Sequence, residues 1–405
     1  MPKKNFFAKR THWQLELNPL SVMLQTLREK NIFLIDLTES NPTACGFQYP
    51  KDKILTALSQ EQNMVYAPCA QGSLEARRAV SRYYQKKGIT VDPQQIFLTA
   101  STSEAYSYLF RLLMNPQEKV LVARPSYPLF QFLIELNDAQ MEFYPLLYDR
   151  TQARWHIDFP ILENLISPSI RLLILVNPNN PTGSFITQKE FKKLQELCVR
   201  QGMAIVSDEV FSDYALAENP NRVVSVAAQN RVLSFSLGGI SKSLGLPQMK
   251  LGWIAINGPQ DMVEEAAKRL EIILDTYLSV NTPVQNALAQ WLSLQEEIQG
   301  EIRTRLKKNL EFLQQALTSF DQKYCRYLDC EGGWYAVVTL PSGKLSEEEW
   351  VMDFLTKDHV YVHPGYFFDF NEEGYFVLSL LPDTTVFQEG LSRILNRIKC
   401  FGNLA

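Results

Sequence analysis

A series of short apolar runs, each ending abruptly in polar, glycine or proline residues, occupies the middle of the chain and constrains its fold more than any other feature. The runs span residues 95–98, 119–123, 172–176, 203–206 and 231–236. Helix-like stretches such as residues 187–200 lie between several of them. Continuous apolar strands that alternate with helices indicate a mostly parallel sheet with helices on both faces. We therefore expect an α/β fold whose large domain is built on this sheet.

The sequence changes character near residue 281. Asn281, followed by Thr282 and Pro283, predicts a helix N-terminus, and an amphipathic stretch continues from there toward Ser319. Strand-like segments follow at residues 334–340, 360–363 and 375–380. We therefore expect three parts: a large domain over residues 46–280, a smaller α+β domain over 281–405, and an N-terminal segment, 1–45, that packs with the smaller domain.

The composition excludes several classes of protein. Hydrophobic residues make up 46% and charged residues 21% of the 405, and 40 basic against 44 acidic residues leave a net charge of −4. This balance offers no strong field for nucleic acid or an anionic membrane. The sequence contains no apolar run of about 18 residues and no secretion-signal pattern at its start, so we expect a cytoplasmic protein. The six cysteines show no zinc-like spacing, and we predict no metal site.

Polar clusters follow the apolar runs, at residues 99–104, 124–127, 177–183, 207–209 and 238–242. In a parallel sheet, functional groups collect at the carboxyl ends of the strands. We therefore predict that these clusters meet at one edge of the sheet and form a binding or catalytic site there.

Three of these clusters contain side chains suited to particular chemistry. Lys242 follows a Gly-Gly pair, and a partly desolvated lysine there would have an amine free for Schiff-base formation. Asp208, at the inner end of a buried strand, needs a partner such as a protonated pyridine nitrogen. The hydroxyl residues of 99–105 lead into a helix N-terminus, which binds phosphate readily. A surface lysine, a structural salt bridge and simple helix capping are the respective alternatives.

The order of these motifs resembles that of the class I/II pyridoxal-phosphate-dependent aminotransferases, the fold type I enzymes of the aspartate aminotransferase superfamily. Residues 177–183, Asn-Pro-Asn-Asn-Pro-Thr-Gly, match the family's most specific stretch. Asp208 with Glu209, and the segment from Gly239 to Lys242, match two further motifs. Less closely, Tyr66 with Gly72 and the run Pro-Gly-Tyr-Phe-Phe at residues 364–368 resemble two more.

The resemblance implies a transaminase (EC 2.6.1.-) that moves an amino group between an amino acid and a 2-oxo acid. It also implies a seven-stranded type of large sheet, a smaller α+β domain and a homodimer with shared active sites. Lys242 would hold the cofactor as a Schiff base and move a proton, and Asp208 would pair with the pyridine nitrogen. The other implied cofactor contacts are Asn180 to the ring 3′ oxygen, Tyr127 stacked on the ring, Ser101, Thr102, Ser103 and Lys250 at the phosphate, and Tyr66 at the phosphate of the neighbouring subunit.

The chain departs from the family's pattern at four positions. Lys250 stands where an arginine is usual, Gly239 where a serine or threonine is frequent, and Phe211 where a tyrosine often donates to the cofactor. Val377 occupies the place of the arginine that binds the substrate α-carboxylate as a fork. Arg124, beside Tyr127, is a candidate for that task. Ser40 and Asn41 are further candidates for substrate contact, although an Asn-Pro turn with only local hydrogen bonds explains Asn41 equally well.

Two other functions stay open at this point. The same cofactor chemistry supports a lyase or elimination enzyme, and the valine at position 377 makes that alternative more serious. A binding protein on the same fold without catalysis is the second alternative, and the presence of Lys242, Asp208 and Asn180 argues against it.

Overall fold

The computed structural model describes residues 6–320, 324–343 and 345–402. The strands are β1 (Ile35–Asp36), β2 (Ile96–Thr99), β3 (Lys119–Arg124), β4 (Gln140–Asp149), β5 (Arg154–Ile157), β6 (Ile170–Val176), β7 (Ala204–Asp208), β8 (Ser234–Gly239), β9 (Gly252–Asn257), β10 (Tyr327–Leu328), β11 (Tyr335–Thr339), β12 (Val360–Tyr361), β13 (His363–Pro364) and β14 (Tyr375–Ser379). The helices are α1 (Pro19–Glu29), α2 (Lys51–Thr56), α3 (Leu74–Lys86), α4 (Thr102–Leu113), α5 (Phe130–Glu135), α6 (Phe159–Leu165), α7 (Gln188–Gln201), α8 (Ile240–Ser243), α9 (Gln260–Tyr277), α10 (Thr282–Ser293), α11 (Gln295–Thr318), α12 (Glu347–Lys357) and α13 (Thr384–Gly402).

The large sheet has eight strands in the spatial order β2-β9-β8-β7-β6-β3-β4-β5. The five adjacent strands β8, β7, β6, β3 and β4 pair in parallel with one another. Strand β9 instead runs antiparallel to both of its neighbours, β2 and β8. The α/β class and the mostly parallel sheet are therefore confirmed. The eighth strand is β5, which pairs antiparallel with β4 at the edge of the sheet.

The apolar runs become strands because their side chains are buried on both faces. All seven residues of β6 except Arg171 are buried, and β7 and β8 are almost equally enclosed. Aromatic and aliphatic side chains from helices fill both faces, and this burial stabilises the sheet by about 25 cal/mol for each Å² of apolar surface removed from water. The predicted strand at 231–236 lies three residues further along, at Ser234–Gly239.

Two predicted helix starts are present with their caps. The Thr187 hydroxyl accepts from the backbone N–H of Glu190, whose carboxylate accepts from Thr187 in return, which is a complete capping box. Asn281 likewise caps α10 by accepting from the N–H of Val284. The predicted amphipathic stretch toward Ser319 consists of two helices, since the regular α-helix is interrupted at Leu294.

A second, four-stranded antiparallel sheet forms in the order β10-β11-β14-β13. Strand β1 of the N-terminal segment pairs in parallel with β12, and α1 packs against α12, so residues from both ends of the chain meet here. Among the described residues, no helix combines the length and apolar character needed to cross a lipid bilayer.

The two sheets meet near the carboxyl ends of the parallel strands. The N–H of Ser126, just after β3, donates to the carbonyl of Phe368 in the short helix Gly365–Phe368. The N–H of Glu331 donates to the carbonyl of Gly183. Gly183 has φ +68°, and a Cβ there would collide with Gly332, so this close approach requires glycine. The strand ends and the four-stranded sheet thus enclose a cleft.

Candidate active site

A cavity of about 260 Å³ lies in this cleft, at the carboxyl ends of β2, β6, β7 and β8. The residues that line it include Ser40, Ser101, Thr102, Ser103, Tyr106, Tyr127, Asn180, Asp208, Phe211, Lys242, Gly252 and Tyr335. Among the described residues that line this cavity, Lys242 is the single cationic side chain and Asp208 the single carboxylate. The strand-end clusters predicted to converge therefore do so, over sequence separations of more than a hundred residues.

Lys242 lies in α8, the single turn that follows β8. Its Nζ is 4.9 Å from the ring centroid of Trp334 and 5.6 Å from that of Phe211. Burial against these rings lowers the pKa of Lys242 from its ordinary 10.5 to about 8, although the Asp208 carboxylate opposes that effect. At pH 7 about a tenth of the lysine is therefore an unprotonated amine, and thus a nucleophile, far more than at its ordinary pKa.

Asp208 ends β7 and is held by two hydrogen bonds. Its Oδ1 accepts from the N–H of Val210 and its Oδ2 accepts from the hydroxyl of Tyr106, each over 3.2 Å. Burial raises the pKa of Asp208 to about 6, while the two hydrogen bonds lower it in part. Within the described residues Asp208 forms no salt bridge, so the carboxylate is suited to a cationic group from outside the chain.

The motif at residues 177–183 contains three asparagines. Two of them hydrogen-bond to nearby residues of the chain, and the third, Asn180, lines the cavity. Asn177 bonds to the backbone of Ile186 and Val223, and Asn179 bonds to Pro125 and Thr182. Asn180 is 8% exposed, and its buried Oδ1 has no hydrogen-bond partner among the described residues. Since a carboxamide can turn to present either oxygen or N–H, Asn180 is available to a polar group in the cavity.

Helix α4 begins at the cavity wall. Ser101 caps it by accepting from the N–H of Glu104, and Ser101, Thr102 and Ser103 all line the cavity. Gly252 lies directly behind this turn, where a Cβ would be 3.2 Å from the carbonyl carbon of Ser101. The helix N-terminus therefore presents hydroxyl groups and partial positive charge to the cavity.

Aromatic side chains form other parts of the wall. Tyr127 is 36% exposed and packs edge-on against Phe130, which also lines the cavity. Tyr335 comes from β11 of the four-stranded sheet and shares a hydrogen bond with the Ser40 side chain. Ser40 and Tyr335 thus join the N-terminal segment and the second sheet at the cavity.

Four of the predicted site residues do not line this cavity. Tyr66 is 81% exposed, and Lys250 is exposed with a left-handed backbone, φ 53°, just before the lining residues Leu251 and Gly252. Asn41 caps the short helix Pro42–Ala44, which is the local turn role that was the alternative for it. The Arg124 Nε donates to the carbonyl of Asp369 over 2.7 Å, and its guanidinium lies over the Phe143 ring.

Val377 is part of the core and not of the cavity wall. It is completely buried in β14, where it pairs with Val337 on one side and His363 on the other. The described residues that line the cavity include no arginine, so a fork-like grip on a carboxylate is not built into the wall of one chain. No group of three or more potential ligands among the described residues is arranged to hold a metal ion.

Three aromatic residues of this site were not among the predicted ones. Tyr106 lies one turn inside α4, Trp334 packs beside Lys242, and Tyr335 reaches the cavity from the second sheet. Tyr106 and Tyr335 each carry a hydroxyl within the hydrogen-bonded wall, although in the sequence both resemble ordinary core aromatics. The Gly-Gly pair before Trp334 was the one local signal that this segment approaches another part of the chain closely.

The fold and the cavity define a fold type I enzyme, and comparisons with known proteins agree. The chain matches the family of class I and II aminotransferases over residues 34–394. It is 24% identical over 380 residues to the glutamate-pyruvate aminotransferase AlaA of Haemophilus influenzae, with 91% of each chain covered. It is 28% identical over 312 residues to the tyrosine aminotransferase of Mus musculus, covering 75% of this chain and 67% of that protein.

Solved structures show the same fold. The alanine aminotransferase from Pyrococcus furiosus superposes with a TM-score of 0.87 at 22% identity, covering 97% of this chain and 99% of that one. The chain belongs to the class I and II aminotransferase family. It is an aminotransferase, and such enzymes act on an amino acid and a 2-oxo acid. The predicted family and transaminase activity are confirmed, and the lyase alternative is not favoured.

Proposed function

We propose that this aminotransferase binds pyridoxal 5′-phosphate in the described cavity and that Lys242 forms a Schiff base with it. The observation that supports this best is the presence, in one cavity, of a lysine with a lowered pKa and a half-buried carboxylate that has no salt-bridge partner among the described residues. When bound, the cofactor supplies an electron-withdrawing ring that stabilises negative charge at the substrate Cα. The orphaned Asn180 oxygen and the α4 N-terminus further suit the polar groups of this cofactor.

In this proposal Asp208 would keep the pyridine nitrogen protonated. Its ionised carboxylate would accept a hydrogen bond from the ring N–H, and such a cationic partner would lower the pKa of Asp208 from its value of about 6 in the chain alone. Tyr106 and the Val210 N–H orient both carboxylate oxygens, so the carboxylate needs little rearrangement on binding.

Lys242 acts twice. Its unprotonated amine would hold the cofactor, because the neutral form is the nucleophile. With a substrate amine in that place, Lys242 Nζ would be free to serve as the base that moves a proton between the substrate Cα and the cofactor. The walls of Phe211 and Trp334 exclude water from this amine and keep its pKa near that of a useful base.

The remaining cofactor contacts in this proposal are those that the family resemblance implies. Asn180 would donate to the ring 3′ oxygen, and Tyr127 would stack on the ring face. Ser101, Thr102 and Ser103 would bind the phosphate with their hydroxyls and the α4 N-terminus, as hydroxyl-rich helix starts do. Lys250 would add a positive charge from the segment that leads into the lining residue Gly252, and as a point charge it is less directional than the forked guanidinium of arginine.

Substrate contact is proposed for Ser40, which lines the cavity next to Tyr335. Arg124 and Asn41, in contrast, use their side chains in contacts outside the cavity. We therefore retain Ser40 alone as a substrate contact within one chain.

A homodimer with shared sites is part of the proposal. Met64, Val65 and Tyr66 are 87%, 62% and 81% exposed, and three consecutive exposed side chains of this size favour burial against another surface. Placed against a partner subunit, Tyr66 would reach the partner's phosphate site.

The domain division and the compartment are also proposals. We propose a large domain over residues 46–280, and a smaller domain over 281–405 together with 1–45, supported by the pairing of β1 with β12. A cytoplasmic location is supported by the six free thiols, because a reducing compartment keeps cysteines unpaired.

Reductive trapping tests the cofactor proposal without measuring activity. Protein loaded with pyridoxal phosphate is treated with borohydride, digested and analysed by mass spectrometry. We expect the modification on Lys242, and we expect Lys242→Ala to lose both the modification and the visible absorbance band. The exposed Lys192→Ala is the matched control and should keep both. Modification of a different lysine in the wild-type protein would overturn the proposal. A panel of amino donors, followed by the spectral change of the cofactor, then identifies the substrate.

A further inference from the structure

Tyr214 contacts the backbone of Lys242 directly and packs against Trp334, one of the rings beside the Lys242 amine. Its hydroxyl donates to the Lys242 carbonyl over 2.7 Å, and its ring packs edge-on against Trp334, with 5.1 Å between the ring centroids. Trp334 in turn lies 4.9 Å from Lys242 Nζ and packs against Phe211, the other ring beside that amine. A single buried tyrosine therefore contacts the backbone of the lysine and the wall that encloses its side chain.

Tyr214 itself is firmly held. It is completely buried, and its carbonyl accepts from the N–H of Gly333, next to Trp334 in the chain. A Cβ on Gly332 would lie 2.8 Å from the Tyr214 carbonyl oxygen. The backbones at Tyr214 and Gly332 are therefore too close together for a side chain at position 332. The position of Tyr214 relative to Trp334 is thus set by backbone contacts on both sides.

The preceding residue anchors the same segment from the outside. Asp213 forms a 2.7 Å ion pair with Lys87, the residue that follows α3, and the two side chains are only 4% and 16% exposed, respectively. Tyr83 donates to the second oxygen of Asp213, and the Lys87 ammonium also donates to Tyr83 and Ser212. Because little water reaches this ion pair, each charge is stabilised mainly by its protein partners, and their positions must therefore be well defined.

We propose that Tyr214 is a positioning residue for Lys242, and that the Asp213–Lys87 ion pair holds Tyr214 in place. This inference rests on the proposed function of Lys242 as the residue that carries the cofactor. Lys242 lies on a single helical turn, whose short length gives its backbone few constraints of its own. The Lys242 carbonyl also accepts from the N–H of Gly245, so Tyr214 adds orientation to a group that is already partly satisfied.

The experiment compares Tyr214→Phe with Tyr144→Phe, a closely matched control. Tyr144 is also completely buried and also donates to a backbone carbonyl, that of Ile174 over 2.9 Å. Unlike Tyr214, it has no hydrogen bond or ring contact with Lys242 or Trp334 among the described residues. Each variant loses one buried hydroxyl and one hydrogen bond, so both should lose similar thermal stability. Three quantities are measured on the cofactor-loaded proteins: kcat, KM, and the pH midpoint of the visible absorbance band.

We expect Tyr214→Phe to lower kcat about three- to tenfold, the effect of one neutral hydrogen bond, with little change in KM. We also expect the pH midpoint of the band to shift in Tyr214→Phe and to stay in place in Tyr144→Phe. Asp213→Asn should change the same quantities in the same direction, since it loosens the segment without touching Lys242.

The proposal fails if Tyr214→Phe matches Tyr144→Phe in kcat and in the pH midpoint, because Tyr214 would then be merely structural. The part of the proposal that concerns the Asp213–Lys87 ion pair fails if Asp213→Asn changes thermal stability but neither kcat nor the pH midpoint. Persistence of the band in Lys242→Ala would instead overturn the proposed role of Lys242 itself, so the two failures are distinguishable.

Discussion

Tyr106 donates a hydrogen bond from its hydroxyl to Asp208 Oδ2 over 3.2 Å, and it does so from the same helix, α4, whose first residues line the cavity. Helix α4 therefore meets the cavity at two points, its N-terminus and a side chain one turn later. Since the helix is a rigid unit, its geometry determines the spacing between the hydroxyl cluster at 101–103 and Tyr106, which in turn contacts the Asp208 carboxylate. This arrangement suits a rigid ligand whose anionic group binds at the hydroxyl cluster and whose cationic nitrogen lies at the Asp208 carboxylate.

Tyr106→Phe removes one of the two hydrogen bonds that stabilise ionised Asp208. We expect the pKa of Asp208 to rise above its present value of about 6 and the affinity for pyridoxal phosphate to fall about three- to tenfold near neutral pH. The loss should grow as the pH falls toward 6, because protonated Asp208 cannot pair with the ring N–H. Cofactor titrations followed by absorbance at several pH values measure this. Tyr144→Phe serves as the control, and an unchanged pH dependence in Tyr106→Phe would contradict the prediction.

Asp208→Asn should stabilise the cofactor-free protein while weakening cofactor binding. Burial raises the pKa of Asp208 from 3.8 to about 6, so its favourable contribution is complete below pH 3.8 and is lost as the pH rises through 6. Above pH 6 the ionised buried carboxylate therefore costs up to about 3 kcal/mol, at 1.36 kcal/mol per pKa unit. Thermal unfolding without cofactor should show Asp208→Asn above the wild-type protein at neutral pH, with the gap closing in acid. A lower unfolding temperature for the variant at neutral pH would contradict this.

Phe211→Tyr should lower the pH midpoint of the visible absorbance band of the loaded enzyme. In the proposed site Asn180 alone serves the ring oxygen, and a phenol hydroxyl would add a second donor that stabilises its deprotonated form. We expect a decrease of about one pH unit. Phe211→Leu, which adds no donor, is the control for altered packing beside Lys242 and should not lower the midpoint. A midpoint that falls equally in both variants would show that packing, and not the hydroxyl, is responsible.

Arg124→Met should affect stability more than substrate binding. The Arg124 Nε connects the end of β3 to the Asp369 carbonyl beside the four-stranded sheet, and the loss of a charged donor there costs about 1.5–3 kcal/mol. We therefore expect a lower unfolding temperature and a KM for the amino donor within about twofold of the wild-type value. Ser40→Ala should show the reverse, a KM raised about three- to tenfold with stability nearly unchanged. A large rise in KM for Arg124→Met at unaltered stability would instead place Arg124 at the substrate.

The part of the site that could be predicted from the sequence lies directly after buried strands. Ser101, Asn180, Asp208 and Lys242 each follow an apolar run closely, and parallel strands bring their carboxyl ends together whatever the details of packing. Local pattern and topology are sufficient for such residues. The strand bounds were less accurate, and β8 begins three residues later than its apolar run, because neighbouring strands decide where pairing starts.

The rest depends on the direction in which side chains point. Arg124 stands at a strand end next to Tyr127, yet its guanidinium lies over Phe143 of β4 because successive residues of a strand face opposite sides. Tyr335 reaches the cavity only because the second sheet packs over the strand ends. Such placements follow from tertiary packing, which short sequence patterns do not specify.

The convergence of four distant strand ends also has a consequence for how the enzyme is made. Four residues of the site, Ser101, Asn180, Asp208 and Lys242, become neighbours only after β2, β6, β7 and β8 have joined one sheet. A fragment that lacks one of these strands therefore lacks part of the site. Long-range pairing of this kind slows folding. A small ligand that binds only the folded chain, with the site complete, stabilises the native state by RT ln(1 + [L]/Kd). The supply of that ligand in a cell would then help determine how much of the newly synthesised chain escapes proteolysis.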